Sequence, residues 1–201
     1  MYICRDPNGS SSRSVTNLSW HPDDGRKLAV AYSNLDFQKT PANMPMSSYI
    51  WDVENPNVPD MEIQPSSPLV CIKYNPKDPH ILVGGAYSGI VAFWDTRKGS
   101  YAVDSSSVEK SHRDPVYTAA WVQSKTGKCS TREHVSINIL CKIGAEFFSA
   151  STDGQVLWWD IRKLSEPTES MLVDPEKNGQ RVGATILDFE TTIVKNNFSS
   201  Y

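Results

Sequence analysis

Apolar residues in this chain fall in short runs that alternate with polar ones and close on aromatics, separated by turn residues. The stretch Gln155–Trp159 alternates and ends in Trp158-Trp159, the pattern of a half-buried strand. It follows Asp153-Gly154, a hairpin turn pair in which Gly is free to take positive φ. The same arrangement recurs. Runs closing on Trp-Asp are "SYIWD" (48–52), "VAFWD" (91–95) and "VLWWD" (156–160). A small-residue strand precedes each: "KLAVAYS" (27–33), "ILVGGAYSG" (81–89) and "FFSASTDG" (147–154). Before those come apolar strands, "VTNLSWHPDDG" (15–25), "VCIKYNPKDP" (70–79) and "VYTAAWVQSKTG" (116–127), with Trp20, Tyr74 and Trp121 in equivalent places.

Strand, turn, strand, turn, strand ending in Trp-Asp is one blade of a WD-repeat propeller, a class with a period of roughly 40 to 45 residues. The pairs Trp51-Asp52, Trp94-Asp95 and Trp159-Asp160 mark three such blades. The first carries extra residues within "NLDFQKTPANMPMS" (34–47) and the third around "KCSTREHVSINILCKIG" (128–144). "ATILDFETTIV" (184–194) reads as the first strand of a fourth unit. The expected fold is all-β: a partial WD40 propeller of three four-stranded blades plus the start of a fourth, not closed. Residues 1–14 read as a linker and 15–201 as the propeller piece. Its blades fall at about 15–55, 68–104 and 112–165 (with insert 128–144), with a fourth starting at about 184–194. Closed propellers have about four to eight blades, so three would leave apolar flanks uncovered. The chain therefore reads as a piece of a longer protein.

In well-formed blades of this class a His, a Ser or Thr, a turn Asp and the Trp make a buried hydrogen-bonded chain. The matching residues are His112, Ser151, Asp153 and Trp159. An unpaired buried polar group costs about 1–3 kcal/mol, which favours completing such a chain. His112, Asp114 and Ser151 also invite a hydrolytic reading, but the blade framework already uses two of them. The second blade has Ala86 and Ser88 at the Ser and Asp positions, so its chain is broken.

Composition narrows the function classes. The net charge of −3 gives no field favouring nucleic acid or an anionic membrane, and basic residues are scattered. No apolar run approaches the roughly 18 to 20 residues that span a bilayer. Four cysteines, none in a C-x-x-C pair, make no disulfide scaffold, and Cys129, His134 and Cys141 match no zinc spacing. The chain also lacks a G-x-x-x-x-G-K-[ST] phosphate loop. No cofactor, metal or catalytic constellation is expected. Candidate partner contacts are the long loop of the first blade, with Phe37 and Met44, and the linker near Arg5–Arg13, although the reading favoured for both is a solvated loop.

Second-order residues sharpen the resemblance. "LSWHPDDGRKLAVAYSNLDFQ" (18–38), "SSPLVCIKYNPKDPHILVGGAYSGIVAFWDTRKGS" (66–100) and "FSASTDGQVLWWDIRKLSEPTE" (148–169) resemble the axonemal outer-arm dynein intermediate chain 2 family. That resemblance implies a non-catalytic WD-repeat subunit of the ciliary motor in the axoneme. Its implied partners are dynein heavy chains, a second intermediate chain and light chains. An alternative rests on Trp-Asp-x-Arg, present twice with Arg97 and Arg162. The doubled motif resembles those by which substrate receptors engage the adaptor of cullin-type ubiquitin ligases, unless each Arg pairs with an acid on its own blade.

Residues 128–144 have no counterpart in that family. The 17 residues correspond to 51 nucleotides in frame, and Gly127-Lys128 can be encoded with a donor-like GTAAG. We read the segment as a retained intron or gene-model error. Transcript sequencing tests this: message without the insert is expected to predominate, and abundant message carrying it would overturn the reading.

Overall fold

The computed structural model describes residues 6–7, 13–35, 44–122, 144–173 and 182–187, with the backbone of 129–130 and 136–137. The nine runs assigned to the three blades each form a strand where the pattern places one. The first blade comprises β1 (Ser14–Trp20), β2 (Lys27–Ser33), β3 (Ser48–Asp52) and β4 (Met61–Ile63), hydrogen-bonded in that order. The second comprises β5 (Leu69–Tyr74), β6 (Ile81–Ala86), β7 (Val91–Asp95) and β8 (Asp104–Ser105), again in chain order. Between the strands of the third lies a separate two-stranded ladder, β10 (Cys129–Ser130) against β11 (Ser136–Ile137). The third blade itself runs β9 (Val116–Trp121), β12 (Glu146–Ser151), β13 (Gln155–Asp160) and β14 (Glu169–Leu172). All pairings within the blades are antiparallel.

Two boundaries differ from the sequence expectation. The outer strands β4 and β14 lie past residues 55 and 165, because each is a three- or four-residue edge strand in polar sequence with no run to announce it. The described residues 182–187 form no strand. Ala184 N–H instead donates to Ser151 O at 3.0 Å, and Ala184 and Leu187 pack on the outer face of the third blade around Phe148 and Val156. The rest of the expected fourth-unit strand, 188–194, lies outside the described residues.

Alternation decides which residues meet between blades. Ala29, Ala31 and Ile50 of the first sheet pack against Leu69, Leu82 and Trp94 of the second. Cys71, Val83 and Val91 on the second sheet's other face meet Val116, Phe147 and Trp159 of the third. Each of these tryptophans thus faces the preceding sheet. Polar side chains of β1 stitch the innermost strands: Asn17 Oδ1 accepts from Ile72 N at 3.4 Å and Ser19 Oγ from Tyr74 N at 3.0 Å. The innermost strands share one more device. The ladder skips Thr16, Val70 and Tyr117, a bulge at the same place in each blade, which adds local twist.

The small residues before each Trp-Asp allow the sheets to approach. A Cβ at Gly85 would lie 2.5 Å from Val116 Cβ and 2.8 Å from Cys71 Sγ. Gly154 takes φ +77° in the β12–β13 turn, the conformation that Asp-Gly chemistry predicts. Gly85→Ala is expected to destabilise the chain by about 1–3 kcal/mol through overpacking, measured by urea denaturation. Gly25→Ala, where a Cβ meets nothing within 4 Å, is the control and should stay within about 0.5 kcal/mol.

Candidate functional site

Buried polar groups gather beside the tryptophan of the third blade. In the third blade, Trp159 Nε1 donates to Ser149 Oγ at 2.8 Å. Ser149 Oγ lies 2.7 Å from His112 Nε2, and His112 Nδ1 lies 3.2 Å from Asp153 Oδ2. With the indole hydrogen on Ser149 Oγ, a neutral ring takes the Ser149 hydroxyl hydrogen at Nε2 and gives its Nδ1 hydrogen to Asp153, and burial favours that uncharged form. Asp153 also accepts from Arg113 N at 3.0 Å and Gln155 N at 2.9 Å. Burial lowers the pKa of His112, against the opposing pull of Asp153.

Sequence reasoning named Ser151 for this chain; the structure puts Ser149 there. The two serines share a face of β12, so alternation cannot separate them. Register does: Trp159 lies opposite Phe147, and Ser149 is the next residue on that face, whereas Ser151 is a further step away. Ser151 Oγ instead donates to Asp114 O at 3.0 Å. The Asp153–His112–Ser149 order has the connectivity of a nucleophilic triad. Yet Ser149 is 0% exposed and its oxygen already accepts the indole hydrogen, so the chain holds a fold and offers no nucleophile. Cys71 is equally shut away, with burial pushing its thiol up to about 12.

The other two blades solve the indole differently. Trp51 Nε1 donates to Tyr32 Oη at 3.2 Å, with Tyr32 at the position equivalent to Ser151. In the second blade Gly84 stands where Ser149 does, and fully buried Trp94 Nε1 has no partner among the described residues. The aspartates that follow share one role. Oδ1 of Asp52, Asp95 and Asp160 accepts the backbone N–H two residues on, at 2.9, 3.0 and 3.0 Å, closing the turn after each strand.

Both arginines of the doubled motif turn back on these aspartates. Arg97 Nε and Nη2 donate to the two oxygens of Asp95 at 2.8 and 2.9 Å, holding that carboxyl below its ordinary range. Arg162 Nε donates to Asp160 Oδ1 at 2.7 Å, and its Nη2 pairs with Oδ2. Each Arg thus engages an acid on its own blade, while its side chain stays half exposed.

A family model described as the dynein axonemal intermediate chain 3 WD40 domain matches residues 5–105. Over 95% of its length the chain is 56% identical to the ciliary dynein intermediate chain 3 of Heliocidaris crassispina. The chain belongs to the axonemal dynein intermediate chain family. It is also 54% identical to the dynein axonemal intermediate chain 2 of Homo sapiens over 95% of its length. The flagellar outer-arm 70 kDa intermediate chain of Chlamydomonas reinhardtii is 42% identical over 98% of it. The chain spans 30%, 29% and 32% of these three intermediate chains.

Of the candidate contact residues in this intermediate-chain sequence, Arg5 and Phe37 lie outside the described residues, and so do His134 and Cys141, whose spacing fits no zinc site. Met44 is 8% exposed and so is buried in the first blade, where it presents no surface to a partner. Among the described residues no three His, Cys, Asp or Glu side chains gather to hold a metal ion. The inner strands line a groove of about 710 Å³ with Thr16, Asn17, Lys73, Tyr117 and Trp121.

Two outcomes test the Ser149 chain. Ser149→Ala, which strands the Trp159 N–H and His112, should cost about 1–3 kcal/mol and Ser151→Ala less, read from urea midpoints. A depressed His112 pKa means the fold binds the neutral ring. Its stability contribution is fully present above the unfolded value of about 6.5 and is lost as pH falls through the lower folded value. Wild-type stability should therefore drop as pH falls below about 6.5, and His112→Gln should flatten that dependence.

Proposed function

We propose that this chain is part of a non-catalytic structural subunit of the ciliary outer dynein arm. In that role it is a WD-repeat scaffold for assembling and attaching dynein heavy and light chains, paired with a second intermediate chain at the axoneme. The observation that carries this reading is the identity of 42–56% to ciliary and flagellar intermediate chains across nearly the whole chain. The site chemistry supports it. The Asp–His–Ser chain is buried and saturated, while the surface offers rigid strands, turns and ion-paired rims of the kind that bind other proteins. On β1, Val15, Leu18 and Trp20 are 52%, 49% and 56% exposed on the face turned away from the second blade. Such a strip suits coverage by a further element of an assembly.

The ligase-receptor alternative asks Arg97 and Arg162 to reach an adaptor, and both are already satisfied by their own aspartates. Tagging the gene product in ciliated cells tests the proposal. It is expected to enter axonemes and to copurify with dynein heavy and intermediate chains. Recovery of a cullin adaptor in place of dynein chains, or exclusion from axonemes, would overturn it.

A further inference from the structure

The tryptophan faces of the second and third blades are covered by the preceding sheet. The corresponding face of the first blade, with Leu28, Val30, Tyr32, Tyr49 and Trp51, points away from the second blade and meets no sheet among the described residues. It is nonetheless shut: Trp51 is 0% exposed and Tyr32 and Tyr49 are 4%. Over it lies Arg13, whose side chain is 0% exposed, with its guanidinium carbon 5.1 Å from the Tyr32 ring centre and 6.0 Å from that of Tyr49. The guanidinium fork uses all of its nitrogens. Nε and Nη2 donate to the Asp6 carboxylate at 2.7–3.0 Å, and Nη1 donates to Pro45 O at 3.0 Å and Ser47 O at 2.6 Å. Ser47 Oγ in turn donates to Glu62 of β4 at 2.5 Å.

We propose that Arg13 and Asp6 form a latch that closes the tryptophan face of the first blade from within the chain, in the place a preceding blade takes on the other two. A neighbour on this side is then confined to the open strip of β1, Val15, Leu18 and Trp20, and reaches Tyr32, Tyr49 and Trp51 only by displacing the latch. Arginine is needed. One planar fork meets a carboxylate and two carbonyls while stacking on two rings, and a lysine ammonium cannot span those acceptors.

Hydrogen exchange read by mass spectrometry on the full 201-residue chain tests this. Arg13→Ala is expected to speed exchange of Val30–Tyr32 and Tyr49–Trp51 at least about tenfold, the scale of a lost hydrogen bond to a charged group. Strands β9, β12 and β13 should remain as in the wild type. Arg13→Lys and Asp6→Asn should give smaller increases confined to the same strands. Unchanged exchange in β2 and β3 would overturn the latch. So would an equal rise across all three blades, or loss of folding in all three variants, since Arg13 would then be a general core residue.

Discussion

Close approach of neighbouring sheets is the constraint on which the rest of this chain depends. A twisted four-stranded sheet of this size cannot bury both faces by itself, so its apolar side chains need another sheet within about 10 Å. At the tightest seam that distance is reached by removing side chains. Gly85 leaves room for Val116, and Ala31 and Ala150 occupy the equivalent position in the other blades. On the opposite face of the second and third sheets, Trp94 and Trp159 of the neighbouring strand fill the gap to the sheet before them.

Burying three indoles brings three N–H groups out of water, and the blades deal with them unequally. Ser149 with His112 and Asp153 completes one network, Tyr32 serves the second, and Trp94 is left unpaired among the described residues. The recurring part is the aspartate after each tryptophan, which closes its turn whatever the indole does. A rigid frame of this kind, with its reactive groups buried and mutually satisfied, suits a subunit that positions other proteins. The kinship to axonemal dynein intermediate chains accords with that physical character.

Much of this was legible in the residues. The inner three strands of every blade and the Asp153-Gly154 turn follow from alternation and turn chemistry, and the place of His112 from the resemblance to well-formed blades of the repeat class. The outer strands β4 and β14 were not legible, because three or four residues at a sheet edge are too short a run to carry a periodic signal. Met44 was read as a loop contact and is buried, since a single apolar residue among polar neighbours does not reveal what folds over it. Arg13 looked like linker. Its acceptors lie 7, 32 and 34 residues away, and no local pattern announces a contact at those separations.

The sequence by itself determined the repeat, the strands within it and the face each side chain takes, because all of these are local or periodic properties of the chain. Only the tertiary structure decided that Ser149 and not Ser151 meets Trp159. It also decided that Arg97 and Arg162 fold back on their own aspartates and that Arg13 closes the first blade. Parity along a strand assigns a face but not a position on it. Which polar atoms touch depends on register and on segments distant in the chain, and those are settled only when the sheets pack.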